Sequence, residues 1–208
     1  YFGYTPIGDP LRVAVIGAGD EGGVLIGAIN PDYIKVVSVC DIRPFNVHRA
    51  FHGDWASDAA VAARPGLISK YGYADEKAAK KEIKIESDYK KVLDDPNVEA
   101  IIIALPLFLH APVAVDALKA GKHVLTEKLM AHNVAQCKLM GRLATTTATA
   151  ACVAIACRQR RPSQSCQSSA TPGTRSSICC SCGSWSRWAA SAPESPAAKR
   201  RAKRNAFE

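Results

Sequence analysis

The sequence predicts an α/β fold, with helices on both faces of a mainly parallel sheet, followed by a poorly structured basic tail. Strand and helix patterns alternate through residues 1–143, which is typical of a parallel sheet with crossover helices. A glycine-rich turn directly follows the first apolar strand. The composition then changes abruptly, because the whole net charge of +8 falls in residues 144–208. We therefore expect a folded domain over residues 1–143 and a separate tail over residues 144–208.

The first predicted strand leads into a Gly-x-Gly-x-x-Gly turn. The apolar run Leu11–Ile16 suits a buried parallel strand, and a helix is predicted over Glu21–Ile29. Gly17 permits the tight turn, Gly19 leaves room for a pyrophosphate, and Gly22 lets the helix pack close to the strand. The start of the helix also offers free N–H groups and a partial positive charge to that anion. An ordinary glycine-rich turn is the alternative interpretation.

An acidic residue follows the second strand at the spacing that dinucleotide binding requires. The strand Ile34–Cys40 ends before Asp41, 19 residues after Gly22, where a carboxylate can meet the adenosine ribose hydroxyls. This pattern predicts a Rossmann-type domain. Asp41 would repel a 2′-phosphate, so NAD is expected rather than NADP, although Arg43 could partly offset that repulsion. The predicted cofactor contacts here are Gly17, Gly19, Asp20, Glu21, Gly22, Asp41, Ile42 and Arg43.

The remaining elements continue the alternation. After Asp41 the patterns predict an elaborated region with a helix near Val47–Phe51 and another over Trp55–Tyr71, interrupted at Pro65 and Gly66. Further helices are predicted over Glu76–Glu82, Asp88–Asp94 and Ala111–Ala120, with another beginning at Asn133–Leu143, and further strands over Ile83–Ile85, Ala100–Leu105 and His123–Thr126.

Candidate cofactor-binding residues follow two of the later strands. Pro106 and His110 come after one strand, and Glu127 and Lys128 end the next. Parallel strands end at one edge of the sheet, so these residues should flank the nicotinamide half of a dinucleotide. The Lys128 ammonium could orient the nicotinamide ribose and stabilise negative charge on a reacting alkoxide. The alternatives are a solvated loop lysine and a histidine that caps or packs the start of a helix.

These motifs resemble the glucose–fructose oxidoreductase/inositol dehydrogenase (Gfo/Idh/MocA) family. The resemblance covers about residues 11–143, through Val13–Gly22, Asp41, Pro106–Pro112 and Ala120–Lys128. It implies NAD(P)-dependent hydride transfer at a CH–OH or carbonyl carbon of a sugar or cyclitol. It implies that Lys128 is catalytic, positioning cofactor and substrate, and that the nicotinamide half contacts Leu105, Pro106, His110, Glu127 and Lys128.

The sequence departs from the family pattern in two places. Leu129 stands where the family has a proline after the lysine. Residues 144–208 match no part of the family's second α/β domain, which supplies acid–base residues, the substrate pocket and the usual oligomer interface. The resemblance therefore leaves two expectations open: a truncated oxidoreductase domain, or a catalytically inactive NAD-binding protein. A family-type homo-oligomer is not expected.

The tail is rich in Arg, Ser, Cys, Pro and Ala and holds six of the eight cysteines. Such a segment cannot bury enough apolar area to offset its chain entropy, so we expect disorder. We favour the hypothesis that it is an out-of-frame translation of a G+C-rich gene. Two less favoured hypotheses are a zinc site at Cys179, Cys180 and Cys182, which lacks paired Cys-x-x-Cys units, and nucleic-acid binding through the basic run 199–204. No metal site is predicted.

Composition and patterning also exclude several classes. No apolar run reaches the length of a membrane span, and no signal-peptide pattern opens the chain, although the first residue is Tyr1 and a leader could be missing. Residues 1–143 carry equal numbers of basic and acidic residues and only Cys40 and Cys137, which is typical of a reduced compartment. We expect a cytoplasmic protein with a dinucleotide partner.

Overall fold

The computed structural model describes residues 8–154 and 178–179, which form a parallel sheet surrounded by helices. The strands are β1 (Leu11–Ile16), β2 (Ile34–Cys40), β3 (Lys84–Glu86), β4 (Ala100–Ile103), β5 (His123–Glu127), β6 (Ala151–Ala154) and β7 (Ile178–Cys179). The helices are α1 (Asp20–Ala28), α2 (Pro44–His52), α3 (Asp58–Ala63), α4 (Gly66–Tyr71), α5 (Glu76–Glu82), α6 (Tyr89–Asp94), α7 (Leu107–Lys119) and α8 (Val134–Thr146).

The strand order is β3-β2-β1-β4-β5-β6-β7, and every described pair is parallel. This is the doubly wound order, in which the chain first builds outward from β1 on one side and then continues from β4 on the other. The order reverses between β1 and β4, so the crevice at their carboxyl ends is where such folds bind ligands. The predicted fold class is confirmed.

Both faces of the central strands are buried, as expected for a parallel sheet covered by helices. Side chains alternate along a strand, so Val13 and Val15 belong to one apolar cluster and Ala14 and Ile16 to the other. All four are at most 2% exposed. The two clusters hold the sheet between helical layers and fix the edge on which the loops converge.

Polar side chains cap the starts of several helices. The side chains of Ser57, Asp75, Asp88 and Asn133 each accept a hydrogen bond from an amide in the first turn of the following helix. The predicted interruption between α3 and α4 is present. Glu76–Glu82 is helical as predicted, and the other predicted elements of the first 143 residues are present with small shifts of their ends.

Helix α7 begins at Leu107, one turn earlier than the predicted start at Ala111. Proline is favoured at the start of a helix, and two prolines lie near this one. Here Pro106 occupies the position before the helix in an extended conformation, and Pro112 lies inside it. His110 is therefore a residue of the first turn of α7 and not of a preceding loop.

The folded region continues past residue 143, where the sequence analysis placed the boundary. Helix α8 runs to Thr146, and the hydroxyls of Thr145, Thr146 and Thr147 donate to carbonyls in the preceding turn. Strand β6 then pairs with β5 through Val124 opposite Ala151. The tail hypotheses concern residues 144–208, of which the structure describes 144–154 and the backbone of Ile178 and Cys179. The expected disorder does not hold for 144–154, and the zinc-site and basic-run hypotheses lie mostly outside the described residues. Among the described residues, no helix has the length and apolarity needed to cross a membrane.

Candidate dinucleotide-binding site

The glycine turn lies at the carboxyl ends of β1 and β4. Gly17 has a φ of +91° and its N–H donates to the carbonyl oxygen of Cys40 at 2.8 Å. A Cβ on Gly17 would lie 2.8 Å from the carbonyl carbon of Ala104, and nearer still to its oxygen. Both the backbone conformation and the close approach of β4 therefore require glycine.

The other two glycines of the motif have different surroundings. A Cβ on Gly22 would lie 3.0 Å from the carbonyl carbon of Gly17 and nearer still to its oxygen, so helix α1 packs directly against the turn. Gly19 precedes α1 and faces open space, because its nearest neighbour would be the Asn46 side-chain nitrogen at 4.0 Å. The turn thus presents backbone N–H groups and the start of a helix to a space that can hold an anion.

Asp41 is bonded to the glycine turn and to the start of α2. Its Oδ2 accepts from the N–H of Ala18 at 2.8 Å, and its Oδ1 accepts from the N–H of Arg43 at 2.8 Å. The Asn46 amide approaches both oxygens, at 3.3 and 3.1 Å. The carboxylate is therefore held beside the turn by short backbone bonds and a longer, shared side-chain bond.

The first turn of α1 carries two acidic side chains, each close to a cation. Asp20 Oδ1 accepts a 2.6 Å hydrogen bond from Arg49, which lowers the pKa of Asp20 below its usual range. Glu21 Oε1 lies 3.8 Å from the Lys128 ammonium. These pairs offset the negative charge at the helix start, where a pyrophosphate would otherwise be repelled.

A cavity of about 420 Å³ opens beside Asp41, between α2, α5 and the end of β3. Aliphatic side chains form much of its wall, and charged groups border it. Its lining residues are Asp41, Ile42, Pro44, Val47, His48, Glu76, Lys80, Ile85, Glu86 and Ser87. A hydrogen bond from Lys80, and to a smaller extent one from His52, lowers the pKa of Glu76 to about 2.

Sequence reasoning identified only Asp41 and Ile42 of this wall. The other lining residues come from α2, α5, β3 and Ser87 just after β3, and no local spacing links these elements. The Arg43 side chain is exposed, and its N–H is the group that bonds Asp41.

Glu127 and Lys128 lie at the end of β5, close to the start of α1. Glu127 is buried, and its Oε2 accepts from the N–H of Lys128 at 3.1 Å and lies 3.4 Å from the Lys128 ammonium. The Lys128 side chain remains about half exposed, at 48%. The Lys128–Leu129 peptide bond is cis. The structure therefore brings the predicted lysine to the glycine turn, with a buried carboxylate beneath it.

His110 is 2% exposed and contacts backbone oxygens on both sides of its ring. Its Nδ1 lies 2.7 Å from the carbonyl oxygen of Leu129, and its Nε2 lies 2.7 Å from that of Leu105. A neutral imidazole donates only one of these bonds, whereas the imidazolium donates both. His110 thus connects the loop after β4 to the loop after β5, which is the packing role considered as an alternative. Pro106 lies next to it, immediately before α7.

The fold and the glycine turn define an NAD-binding Rossmann domain. The chain belongs to the Gfo/Idh/MocA oxidoreductase family with an NAD-binding Rossmann fold, because the family model matches residues 11–155. The predicted family and the predicted cofactor, NAD, are confirmed.

Individual relatives match over parts of their lengths. A glycosyl hydrolase family 109 protein of Stenotrophomonas maltophilia is 31% identical over 115 residues, which are 55% of this chain and 22% of that protein. A levoglucosan dehydrogenase of Pseudarthrobacter phenanthrenivorans is 41% identical over 54 residues, which are 26% of this chain and 14% of that protein. The chain thus spans less than a quarter of either relative.

Solved structures show the same fold. The WlbA dehydrogenase from Bordetella pertussis, in complex with NADH and UDP-GlcNAcA, aligns with a TM-score of 0.51 and 24% identity, covering 70% of this chain and 37% of that one. GenD2 from gentamicin A biosynthesis, in complex with NAD, aligns with a TM-score of 0.52 and 20% identity, covering 73% of this chain and 37% of that one. At these identities the likeness concerns the fold alone.

Proposed function

We propose that this chain is the cofactor half of an oxidoreductase that transfers hydride between NAD and a CH–OH carbon of a sugar or cyclitol. The observation that carries the proposal is the convergence of Asp41 and Lys128 on the same glycine turn. The Asp41 carboxylate accepts a hydrogen bond from the N–H of Ala18 in the turn. The Lys128 ammonium lies 3.8 Å from the Glu21 carboxylate at the start of α1. Asp41 and Lys128 would therefore lie at the two ends of a dinucleotide bound along the carboxyl edge of the sheet.

The pyrophosphate is assigned to the Gly17–Gly22 turn. Gly19 leaves the approach to the backbone open, and the first N–H groups of α1 point out of the helix. Two carboxylates in the first turn would oppose an anion, but Arg49 and Lys128 offset them at 2.6 and 3.8 Å. The expected contact is therefore with backbone N–H groups supported by two nearby cations.

The adenosine ribose is assigned to Asp41 and the adenine to the adjoining cavity. The longest bonds of Asp41 are those to the Asn46 amide, so ribose hydroxyls can take the place of that contact while the two short backbone bonds remain. An ionised carboxylate at this point favours a ribose hydroxyl over a phosphate, which supports NAD over NADP. Ile42, which is 81% exposed at the cavity rim, would cover one face of the adenine.

The reacting end is assigned to Lys128. NAD when bound supplies the hydride acceptor at this end of the sheet. The Lys128 ammonium, held near Glu127 and about half exposed, would contact the substrate oxygen and stabilise negative charge as the alkoxide develops. His110 acts as a positioning residue, because its ring is engaged with the two loops that carry Leu105 and Leu129.

The assignment of the ribose is tested by calorimetry with NAD on Asp41→Asn, with Asp32→Asn, an exposed turn residue, as the matched control. Loss of hydrogen bonds to a charged acceptor, worth about 1.5–3 kcal/mol, predicts a Kd about 10- to 100-fold higher for Asp41→Asn. Asp32→Asn should bind like the unaltered chain.

A second ligand separates direct ribose contact from support of the turn. With 2′-deoxyadenosine NAD, the unaltered chain should lose affinity, while Asp41→Asn should lose little more, because the same interaction is already gone. Full additivity of the two changes, or unchanged NAD affinity in Asp41→Asn, would overturn the ribose assignment.

A further inference from the structure

Three side chains that bind transition metals come together at the rim of the cavity. His48 and His52 lie one turn apart on α2, and their rings stack with centroids 4.2 Å apart. Glu76, the first residue of α5, faces them. We call these three residues the histidine–glutamate cluster. The sequence analysis predicted no metal site, although the His-x-x-x-His spacing on a predicted helix was a visible signal.

The distances within the cluster are close to those of a metal site. One ligand atom of each residue lies within 4.8 Å of the others, and His52 Nε2 is 3.0 Å from Glu76 Oε2. Bonds of about 2.0–2.2 Å in a tetrahedral zinc site place ligand atoms roughly 3.4 Å apart. The His52–Glu76 pair, at 3.0 Å, needs to move apart only slightly to reach that separation. His48 is exposed, so a rotation of its side chain can close the remaining gap.

Both oxygens of Glu76 have a partner, but the partner of Oε2 is itself a member of the histidine–glutamate cluster. Lys80 lies 2.7 Å from Oε1, whereas Oε2 lies 3.0 Å from His52 Nε2. A metal ion that binds both Oε2 and this nitrogen would replace their direct contact and recruit His48 as the third ligand. Two imidazole nitrogens and one carboxylate oxygen suit Zn²⁺, Co²⁺ or Ni²⁺ better than Mg²⁺ or Ca²⁺, which prefer oxygen ligands alone.

We propose that His48, His52 and Glu76 form a binding site for a divalent transition metal of the Zn²⁺ type, with water completing the coordination. The site is independent of the proposed hydride transfer. Because α2 and α5 carry the ligands and both border the cavity, the ion would connect the two sides of the cavity wall. Metal binding would therefore stabilise the pocket assigned to adenine.

The test uses Co²⁺ as the probe on the full chain after its accessible thiols are blocked with iodoacetamide, because cysteines of the sequence could otherwise bind the ion. Calorimetry and visible absorption should show one saturable Co²⁺ site with nitrogen and oxygen ligands. His48→Gln is the main variant, because His48 is exposed and contacts the rest of the cluster through its ring stack with His52. Removing a residue that only hydrogen-bonds a metal ligand already lowers metal affinity about 10- to 100-fold. Since His48 would be a ligand itself, the Co²⁺ affinity of His48→Gln should fall at least about tenfold.

His132→Gln is the matched control, since His132 is an exposed histidine outside the cluster. It should bind Co²⁺ like the unaltered chain, while His52→Gln should lose affinity as His48→Gln does. Absence of a saturable site, or equal affinity in His48→Gln and His132→Gln, would overturn the proposal. NAD titrations of the same samples are read separately, so failure of the metal site leaves the cofactor assignment untouched.

Discussion

Replacing Gly22 with alanine tests whether the close contact between α1 and the turn is needed for cofactor binding. The added Cβ would lie 3.0 Å from the carbonyl carbon of Gly17 and 3.6 Å from the Cβ of Ala104. The Gly17 carbonyl is a backbone group, so it cannot move away by a side-chain rotation. Helix α1 cannot simply retreat either, because Leu25 and Ile26 are buried in the core at 6% and 0% exposure.

The cost of this substitution can be estimated from the contact. Forcing a methyl group into a packed site costs about 1–3 kcal/mol, and a backbone neighbour places Gly22→Ala at the upper end. Movement of the start of α1 would also weaken its N–H bonds to the pyrophosphate. Loss of one such bond, worth about 1.5–3 kcal/mol, raises the Kd for NAD about 10- to 100-fold.

The same helix offers two controls. A Cβ on Gly23 would lie 3.0 Å from the Cδ of the flexible Arg64 side chain. The higher helix propensity of alanine favours Gly23→Ala, whereas this contact disfavours it. The free energy of unfolding should therefore change by less than about 1 kcal/mol. A Cβ on Gly27 would meet backbone at the far end of α1, 3.2 Å from the carbonyl carbon of Ala63. Gly27→Ala should therefore destabilise the fold but leave NAD affinity unchanged.

The assay combines urea unfolding with NAD calorimetry on the three alanine variants and the unaltered chain. The predicted pattern is loss of stability and affinity in Gly22→Ala, loss of stability alone in Gly27→Ala, and neither in Gly23→Ala. If Gly22→Ala bound NAD as the unaltered chain does, the pyrophosphate would not contact this turn. If Gly27→Ala lost affinity equally, the effect would be general destabilisation.

Three further predictions follow from buried or reacting groups. Tyr71→Phe removes a hydroxyl that bonds two backbone groups of β2 at 2.8 and 3.1 Å, so urea unfolding should show a loss of about 1–3 kcal/mol, against almost none for the half-exposed Tyr73→Phe. Burial raises the pKa of Cys40 from 9.0 to about 12, so the folded thiol keeps its proton where the unfolded one loses it. The free energy of unfolding should therefore fall as pH rises from about 9 to 12. At pH 8 iodoacetamide should modify Cys137 but not Cys40, as peptide mass spectrometry can check. Lys128→Met should lower NADH formation from aldohexoses or inositols at least about 100-fold. NAD affinity should change far less, and equal losses in both would assign Lys128 to binding alone.

Much of the fold was predictable because its signals are local. Apolar runs such as Leu11–Ile16 and Ile34–Cys40 are strands of those same limits, and Glu76–Glu82 is helical as predicted. The predicted position of Lys128 at the edge of the sheet that carries the glycine turn also agrees with the structure, since parallel strands end together. Whether these residues contact NAD stays a prediction.

Elements that depend on partners were missed or displaced. The threonine-rich end of α8 has no amphipathic pattern, but the hydroxyls of Thr145 and Thr146 bond carbonyls of the preceding turn. Strand β6 is only four residues long. It pairs with β5, from which helix α8 separates it along the chain. The predicted end of the domain at residue 143 therefore falls inside the folded region.

The sequence by itself determined the parallel α/β fold, the glycine turn and the dinucleotide class, because strand periodicity and the glycine–aspartate spacing are properties of neighbouring residues. Only the tertiary structure decided that His110 connects two loops, that Arg49 and Lys128 offset the acids of α1, and that a cavity adjoins Asp41. Each of these depends on side chains from separate elements meeting in space. No spacing along the chain records such distances, since packing of the helices on the sheet sets them.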